Sequence, residues 1–504
     1  MKFPLVFPLV CIVCWMFSLS AQTIDGRPIE NIEEPYLELS ILGGLFSEEI
    51  KLMVRTGRSD EPSLFKQSEI NDEAGQAVNF RSAVEVLNFF HQFGYRLVAA
   101  QGRDQAGQGY ILYRDPDGAE AGPRKMTAGT TQVITGADQL DKYLPMLRGK
   151  KVGILGNQTS IVGSPDNHLV DELIKQGVDV HFAFAPEHGF RGNIERGEKV
   201  SKDVDTKTGI TLHSLYGPNK DARDIVASVD VMIYDLQDVG ARFYTYITSL
   251  HRLMQLCVDA DRPLIVLDRP NPNGDQVNGP VRKSDEFKSN VSYHKIAMVH
   301  GLTVGELAHM INGEGWLNNG ERCDLTVIPV EGYTHATHYV PPVIPSPSLP
   351  NYLSIRLYPS LCLFEGTDIS VGRGTDFPFQ AIGYPDPVFG DFTFIPGSRE
   401  GMSAHVEQQG KMCYGVDLRN VDPESFTFNL KHFIDFYQKA PFKDKFFARP
   451  DFFDKLAGND TLRKKIQDGW TYEEIEASWQ EELTAYKKMR KKYLLYDDFG
   501  SSSE

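Results

Sequence analysis

The stretch VDVHFAFAPEHGFRG, residues 178–192, joins a strand pattern to a glycine-containing loop. Six of its first eight residues, 178–185, are apolar, which predicts a buried strand. Glu187 and His188 follow almost directly, so we expect both at the carboxyl end of that strand. Open α/β sheets bind their ligands at this end. The glycines that follow, Gly189 and Gly192, allow the backbone to approach a ligand closely.

Strand and helix patterns alternate from residue 133 onward, which predicts a parallel sheet with helices on both faces. The loop after the first strand of this region matches neither a dinucleotide fingerprint nor a phosphate-binding loop. We therefore expect a Rossmann-like sheet without a nucleotide. The predicted strands are 151–155, 179–185, 229–234 and 264–267, and the predicted helices are 166–176, 221–228 and 246–260.

The length of 504 residues is too great for a single core, so several domains are expected. Residues 35–114 have the pattern of a small ββαββ accessory module, an added α+β unit. Residues 115–131 are rich in Gly, Pro, Asp and Thr and predict a linker. We expect the Rossmann-like catalytic domain over residues 133–320 and a smaller α+β domain, which completes a cleft, over residues 321–504.

The first 21 residues combine a lysine, an apolar run and small residues, which is typical of a secretory signal peptide. We expect an exported protein, periplasmic or secreted, with no transmembrane segment in the mature chain.

The net charge of −16 argues against nucleic acid and anionic membranes as partners. The four cysteines of the mature chain show no metal-site spacing and leave a disulfide open. They are Cys257, Cys323, Cys362 and Cys413.

A second glycine-rich stretch, FEGTDISVGRGT at residues 364–375, contains another carboxylate. The apolar run at 361–364 predicts a strand, so Glu365 is expected just past a strand end, as Glu187 is. Two carboxylates on separate strand-end loops are the minimum equipment for acid/base chemistry on a glycosidic bond. The sequence thus favours a hydrolase that acts on sugars.

The stretch 235–246, DLQDVGARFYTY, also begins at a predicted strand end. Asp235 and Asp238 could act in the site, or Asp238 could cap the next helix while Asp235 pairs with Arg242. Both interpretations stay open from the residues alone. The candidate substrate-binding residues are His188, Arg191, Asp235, Arg242, Tyr244, Asp268, His300 and Arg373.

Five motifs resemble those of the NamZ-type exo-β-N-acetylmuramidases, a family formerly described as a domain of unknown function. The resemblance runs from about residue 133 to the end of the chain and leaves the module at 35–114 outside it. The motifs are PEHGFRG at 186–192, DLQDVGARFYTY at 235–246, LDRPNP at 267–272, HGLTVGELA at 300–308 and EGTDISVGRGT at 365–375.

The resemblance implies removal of N-acetylmuramic acid from the non-reducing end of peptidoglycan fragments, in a cleft between a Rossmann-like domain and a smaller C-terminal domain. It also implies that Glu187 is the catalytic acid. The second carboxylate stays open among Asp238, Glu365, Asp235 and Glu195. The chain departs from the family pattern at 273–275 and 348–351, which concerns the shape of the sugar subsite.

Two other function classes compete with this hypothesis. One is a non-catalytic protein that binds peptidoglycan through the same loops. The other is a metal-dependent hydrolase, although we expect neither a metal nor a cofactor. Its ligands would come from Asp235, Asp238, Asp268, His188 and His300, whose spacing is not specific for a metal.

The lactyl carboxylate of N-acetylmuramic acid requires a local positive site on so acidic a protein. Arginine offers bidentate geometry for a carboxylate. Arg191, Arg242 and Arg373 each lie in one of the motifs, and Arg373 is our first candidate because glycines flank it. The alternative is that these arginines brace carboxylates of the site.

Overall fold

The computed structural model divides the chain into two compact units, Met1–Thr130 and Thr131–Glu504. The residues that it describes in the second unit are 133–186, 189–191, 203–215, 220–398 and 406–500. Those that it describes in the first unit are 23–24, 27–29, 36–42, 51–55, 70–71, 86, 90, 93, 95–104 and 107–113.

The first unit contains a four-stranded antiparallel sheet and a small three-stranded one. The larger sheet has the order β4-β3-β7-β6, and the smaller has the order β2-β1-β5. The pattern of residues 82–93 predicts the helix of the ββαββ module, and the structure describes this stretch only at single positions, of which Val86 and Phe90 are helical. The expected signal peptide and linker lie outside the described residues. The strands are β1 (Thr23–Ile24), β2 (Arg27–Pro28), β3 (Tyr36–Leu42), β4 (Lys51–Arg55), β5 (Ile70–Asn71), β6 (Arg96–Asp104) and β7 (Gly107–Tyr113).

The second unit is built on a seven-stranded sheet of order β12-β13-β11-β8-β14-β15-β16. Six of these strands are parallel, and only the edge strand β12 runs antiparallel to its neighbour. The strands of this unit are β8 (Lys151–Gly156), β9 (Ile161–Val162), β10 (Ser164–His168), β11 (Asp179–Ala185), β12 (Asp203–Val204), β13 (Thr211–Ser214), β14 (Val231–Asp235), β15 (Leu264–Leu267), β16 (Leu325–Ile328), β17 (Ala381–Tyr384), β18 (Phe392–Phe394) and β19 (Cys413–Asp417).

The order of the parallel strands confirms the Rossmann-like prediction. From β8 the chain moves outward through β11 and β13, then returns to the other side of β8 and continues through β14, β15 and β16. This doubly wound order leaves a switch point between β8 and β14, where such folds bind ligands. Every residue of β14 and β15 is buried, as expected for central strands covered by helices on both faces.

The sheet extends past residue 320, the expected end of its domain, because β16 pairs with β15.

Among the described residues, no helix is long and apolar enough to cross a membrane. The α-helices of the second unit are Leu140–Leu147, Leu169–Lys175, Ala222–Ala227, Tyr246–Ala260, Val304–Gly313, Tyr352–Leu361, Lys431–Lys439, Lys443–Phe446, Pro450–Ala457, Thr461–Gln467, Tyr472–Ala477 and Gln480–Arg490.

The C-terminal part has its own antiparallel sheet of order β17-β19-β18, surrounded by helices. The prediction of a strand at 361–364 is wrong, because the helix Tyr352–Leu361 continues there into the 3-10 helix Cys362–Gly366. A short apolar run does not distinguish a buried strand from a buried helix. The deciding signal is the capping box that Asn351 forms with Ser354, ten residues upstream of the run.

Candidate active site

The carboxyl ends of four neighbouring strands form one edge of the large sheet. There β11 ends at Ala185, β8 at Gly156, β14 at Asp235 and β15 at Leu267. The loops after these strands carry most of the sequence-predicted site residues. Glu187, His188 and Glu195 lie outside the described residues.

Asp235, the last residue of β14, forms a buried ion pair with Arg269. Its two oxygens accept from Nε and Nη2 of Arg269 at 2.6 and 3.0 Å, and neither side chain is more than 2% exposed. Burial raises the pKa of Asp235, and the Arg269 charge opposes that shift. Asp235 therefore has a structural partner, although this partner is Arg269 and not Arg242 as the sequence suggested.

Asp238 and His300 meet beside the switch point. Asp238 Oδ2 accepts from the Gly240 N–H at 2.7 Å and lies 3.3 Å from His300 Nε2. His300 Nδ1 accepts from the Leu302 N–H, so in the neutral ring the proton is on Nε2 and points toward Asp238. Both side chains are buried, yet Asp238 Oδ1 and His300 Nε2 form no hydrogen bond in the described part of the chain.

Buried polar atoms without partners are rare in folded proteins and cost free energy unless they serve a purpose. Here one carboxylate oxygen and one imidazole N–H are both left open at the ligand-binding edge. This pair is the strongest sign of chemistry among the described residues.

Arg242 is fully buried and contacts backbone carbonyls. Its Nη1 donates to the Pro280 and Ile296 carbonyls, and its Nη2 donates to the Leu456 carbonyl. Burial lowers the pKa of Arg242 to about 9. The structure therefore assigns Arg242 to the fold, where it joins three chain segments, and corrects the expectation that it binds the sugar.

Arg191 is also occupied by carboxylates of the protein. Its Nε and Nη2 donate to Asp205 at 2.7 and 2.8 Å, and its Nη2 donates to Asp171 at 2.8 Å. Asp171 belongs to the helix Leu169–Lys175. Arg191 is therefore held by two aspartates of the protein, and its contact with substrate stays a prediction.

Asp268, just past β15, is fully buried and accepts four hydrogen bonds. The donors are the Thr303 hydroxyl, the backbone N–H groups of Gly305 and Arg269, and the Tyr496 hydroxyl. Burial raises the pKa of Asp268 to about 6, against the effect of these donors. Asp268 thus links the start of the helix Val304–Gly313 to the C-terminal segment instead of facing a ligand.

The side chains that the structure does bring together around open space are Tyr244, Glu365 and Arg373. They line a cavity of about 70 Å³, which we call the Arg373 cavity. Arg373 donates to the Ser348 hydroxyl at 2.6 Å and to Glu365 at 2.5 Å, with the Phe379 ring centre 5.0 Å from its guanidinium. The full lining is Phe243, Tyr244, Thr245, Tyr246, Val291, Ser346, Ser348, Leu349, Tyr358, Cys362, Glu365, Arg373, Phe379 and Leu456.

The glycines beside Arg373 are required by the backbone and not by a bound sugar. Gly372 and Gly374 have φ values of +77° and +78°, in the left-handed region. A Cβ at Gly372 would lie 2.7 Å from the Phe377 carbonyl oxygen, so protein backbone already fills that space. The turn that they form directs the Arg373 side chain to the cavity.

Three donors converge on the Pro345 carbonyl, a feature that the sequence did not reveal. The hydroxyls of Tyr244 and Tyr246 donate to it at 3.0 and 2.9 Å, and the Gln158 amide donates at 3.1 Å. This fixes the proline-rich segment 341–350 as one wall of the Arg373 cavity. Among the described residues, no group of three or more His, Cys, Asp or Glu side chains could hold a metal ion.

Comparison with known proteins identifies the family of this chain. A model of the N-terminal domain of the exo-β-N-acetylmuramidase NamZ matches residues 152–353, and a model of its C-terminal domain matches residues 356–496. The chain belongs to the NamZ family of glycosidases. A relative from Bacillus subtilis (strain 168), named peptidoglycan β-N-acetylmuramidase NamZ, is 34% identical over 415 residues, which are 77% of this chain and 98% of the relative.

Two solved structures share the NamZ fold. Both are DUF1343 family proteins from Bacteroides fragilis NCTC 9343. One is 44% identical with a TM-score of 0.67, and the match covers 73% of this chain and 100% of that chain. The other is 25% identical with a TM-score of 0.62, covering 72% and 99%. The resemblance seen in the sequence motifs is thereby confirmed.

Proposed function

We propose that this protein is an exo-acting muramidase that releases N-acetylmuramic acid from the non-reducing end of peptidoglycan fragments. The observation that carries the proposal is the ordered match to both NamZ domains, together with a curated peptidoglycan β-N-acetylmuramidase that is covered over 98% of its length. We further propose that the protein is exported and serves in cell-wall turnover, where such fragments arise.

Glu187 is the general acid in this proposal. In the sequence it follows the end of β11 by two residues, and the carboxyl end of that strand belongs to the edge where doubly wound sheets bind ligands. A protonated glutamate there would donate its proton to the glycosidic oxygen as the bond to the sugar breaks. Positioned acids of this kind contribute about 10² to 10⁴ in rate.

Asp238 is our choice for the second carboxylate. Asp235 is held by Arg269 in a buried pair, and Glu365 is paired with Arg373. Asp238 instead keeps one oxygen without a hydrogen bond among the described residues. Its other oxygen, Oδ2, lies 3.3 Å from His300 Nε2. In this proposal Asp238 acts as the nucleophile or the general base.

A series of amide variants tests these roles. Glu187→Gln should lower hydrolysis of a chromogenic N-acetylmuramic acid glycoside by at least about a hundredfold, because the amide cannot donate the proton. Asp238→Asn should cause a loss of similar size, and Glu365→Gln a smaller one. The melting temperature should stay close to that of the wild type in the Glu187 variant.

Glu286→Gln is the matched control, since Glu286 is an exposed residue of the 3-10 helix Asp285–Phe287. It should retain full activity. A Glu187→Gln protein that turns over as fast as this control would remove Glu187 from the mechanism.

A further inference from the structure

A second and larger cavity lies in the same unit as the Arg373 cavity. Its volume is about 230 Å³, and polar side chains of the helix Tyr246–Ala260 form one wall. We call it the His251 cavity, after the histidine that lines it. Its other polar lining residues are Arg252, Gln255, Tyr293 and Asn318.

His251 lines this cavity. Its side chain is buried, and its Nδ1 lies 3.1 Å from His294 Nε2 in a hydrogen bond. The opposite ring nitrogen, Nε2, forms no hydrogen bond with the described residues, so it is available to a ligand. Burial lowers the pKa of His251 to about 4, with Lys288 and Arg252 acting in the same direction, so the ring is neutral near pH 7. His294 Nδ1 is buried without a hydrogen bond to the described residues, so the pairing of His251 with His294 costs folding free energy.

Cationic and hydroxyl side chains lie in and beside this cavity. Arg252 donates through Nη2 to Asn290 at 2.6 Å, and its other N–H groups have no partner in the part of the chain that the structure describes. The Tyr293 ring packs on His251 with centres 4.6 Å apart, and Lys288 Nζ lies 4.3 Å from the Tyr293 ring centre. The nearby carboxylates Asp259 and Glu321 are both acceptors of the Gln255 amide.

These side chains are suited to bind a planar anion that accepts two hydrogen bonds at once. A guanidinium with free N–H groups matches a carboxylate, and the strongly acidic protein of net charge −16 makes a local cationic pocket selective. A hydroxyl and a neutral imidazole add donors and acceptors for neighbouring polar groups. The occupant favoured by this chemistry is a carboxylate-bearing ligand.

The two cavities are neighbours along two separate chain segments. Tyr246 lines the Arg373 cavity, and His251 lines the other cavity five residues later in the same helix, about 7.5 Å further along its axis and about 140° around it. On the adjoining segment Val291 lines the Arg373 cavity and Tyr293 lines the His251 cavity, and two residues span at most about 7 Å. The walls of the two cavities therefore approach each other at this segment, which places a second subsite near a molecule bound at Arg373.

We propose that the His251 cavity is a second substrate subsite, which binds a carboxylate of the peptidoglycan fragment outside the sugar that is removed. This inference rests on the proposed function. The carboxylate has two possible sources. One is the lactyl group of a further muramic acid residue in the glycan, and the other is a peptide attached to the fragment.

Binding measured without turnover tests the subsite directly. In the Glu187→Gln protein, calorimetry would give the Kd of three probes, each compared with and without the added Arg252→Gln change. The probes are a disaccharide with N-acetylmuramic acid at its non-reducing end, a peptide-free tetrasaccharide, and a peptide-bearing disaccharide. We expect an unchanged Kd for the plain disaccharide and a rise of about tenfold for at least one longer probe, equivalent to a lost charge-assisted hydrogen bond.

The probe that responds identifies the source of the carboxylate. Tyr293→Phe, which removes one hydroxyl and keeps the ring, should give the same pattern with a smaller rise. Arg148→Gln, at an exposed arginine after the helix Leu140–Leu147, is the matched control and should change nothing. The subsite proposal would be overturned if Arg252→Gln left the Kd of every probe unchanged, or if it raised the Kd of all three probes equally. Absence of hydrolysis by the wild-type protein would instead contradict the proposed function.

Discussion

At the scale of single residues, the arginines of the sequence motifs have different roles although all three lie in motifs of similar composition. Arg242 donates to three buried carbonyls, and Arg191 is held between two aspartates. Arg373 lines a cavity of the described residues. Motif membership thus predicted the neighbourhood of these residues, but the partner of each guanidinium depends on segments distant in sequence, such as Leu456 for Arg242.

The position of Arg373 leads to a prediction about substrate choice. If its guanidinium exchanges Glu365 for the lactyl carboxylate, Arg373→Lys should raise KM for N-acetylmuramic acid substrates about tenfold or more, because a bidentate contact is lost. Hydrolysis of an N-acetylglucosamine analogue, if measurable, should change far less. Kinetics of both substrates on the variant provide the measurement.

The competing role for Arg373 is to hold Glu365 in place for the catalytic scaffold. In that case both substrates should lose activity equally. Ser348→Ala, which removes the other partner of Arg373, is a useful comparison because it leaves the charge intact. A similar drop on both substrates in Arg373→Lys would rule out lactyl recognition.

At the scale of elements, sequence periodicity predicted the strands and helices that depend on local apolar patterns. It did not predict the contacts between segments distant in sequence. The strands β8, β11 and β15 and the helix Tyr246–Ala260 lie where the sequence indicated, because their apolar patterns are local. The pattern of residues 472–493 predicts one helical segment, whereas the structure has two helices there, Tyr472–Ala477 and Gln480–Arg490. Two other features were beyond local patterns: the Tyr496 contact with Asp268 and the convergence on Pro345 join segments about 100 residues or more apart.

The ion pairs that Arg191 forms with Asp171 and Asp205 give a stability prediction. Arg191→Gln would leave Asp205, which is 4% exposed, without its charged partner. We expect the free energy of unfolding to fall by about 2 kcal/mol, the usual size for hydrogen bonds to charged groups. KM of the folded variant should stay unchanged. Denaturant unfolding and kinetics at neutral pH measure both quantities.

The pH dependence of that loss follows from Asp205. Burial raises the pKa of Asp205, but the hydrogen bonds from Arg191 and Thr208 lower it by more. The net result is a pKa of about 2, below the ordinary 3.8. The stabilisation is thus present above about pH 4 and lost as pH falls through about 2. The difference between wild type and variant should shrink over that range. Arg223→Gln, at an exposed ion pair with Asp224, is the control. A stable Arg191→Gln protein with raised KM would instead support a substrate role for Arg191.

At the scale of the whole molecule, the chain divides into two compact units, Met1–Thr130 and Thr131–Glu504. The family models match residues 152–353 and 356–496, all within the second unit. The Bacillus subtilis relative is covered over 98% of its length by 77% of this chain. The first unit is thus additional to the part that the family shares.

We predict that a chain beginning at Thr127 folds and keeps its turnover on small soluble substrates. All described residues of the candidate site belong to the second unit, so the chemistry should not depend on the first. Circular dichroism and kinetics against the full-length protein provide the comparison. A shortened chain that is folded but inactive on a soluble disaccharide would assign the first unit to the active site.

The central claim is that this NamZ family member acts as an exo-muramidase. The most direct measurement is the product profile from a defined peptidoglycan tetrasaccharide with N-acetylmuramic acid at its non-reducing end, followed over time by mass spectrometry. We expect free N-acetylmuramic acid and the matching trisaccharide as the first products, with no disaccharide at early times. Early release of disaccharide, or no released sugar from a protein that binds the substrate, would contradict it.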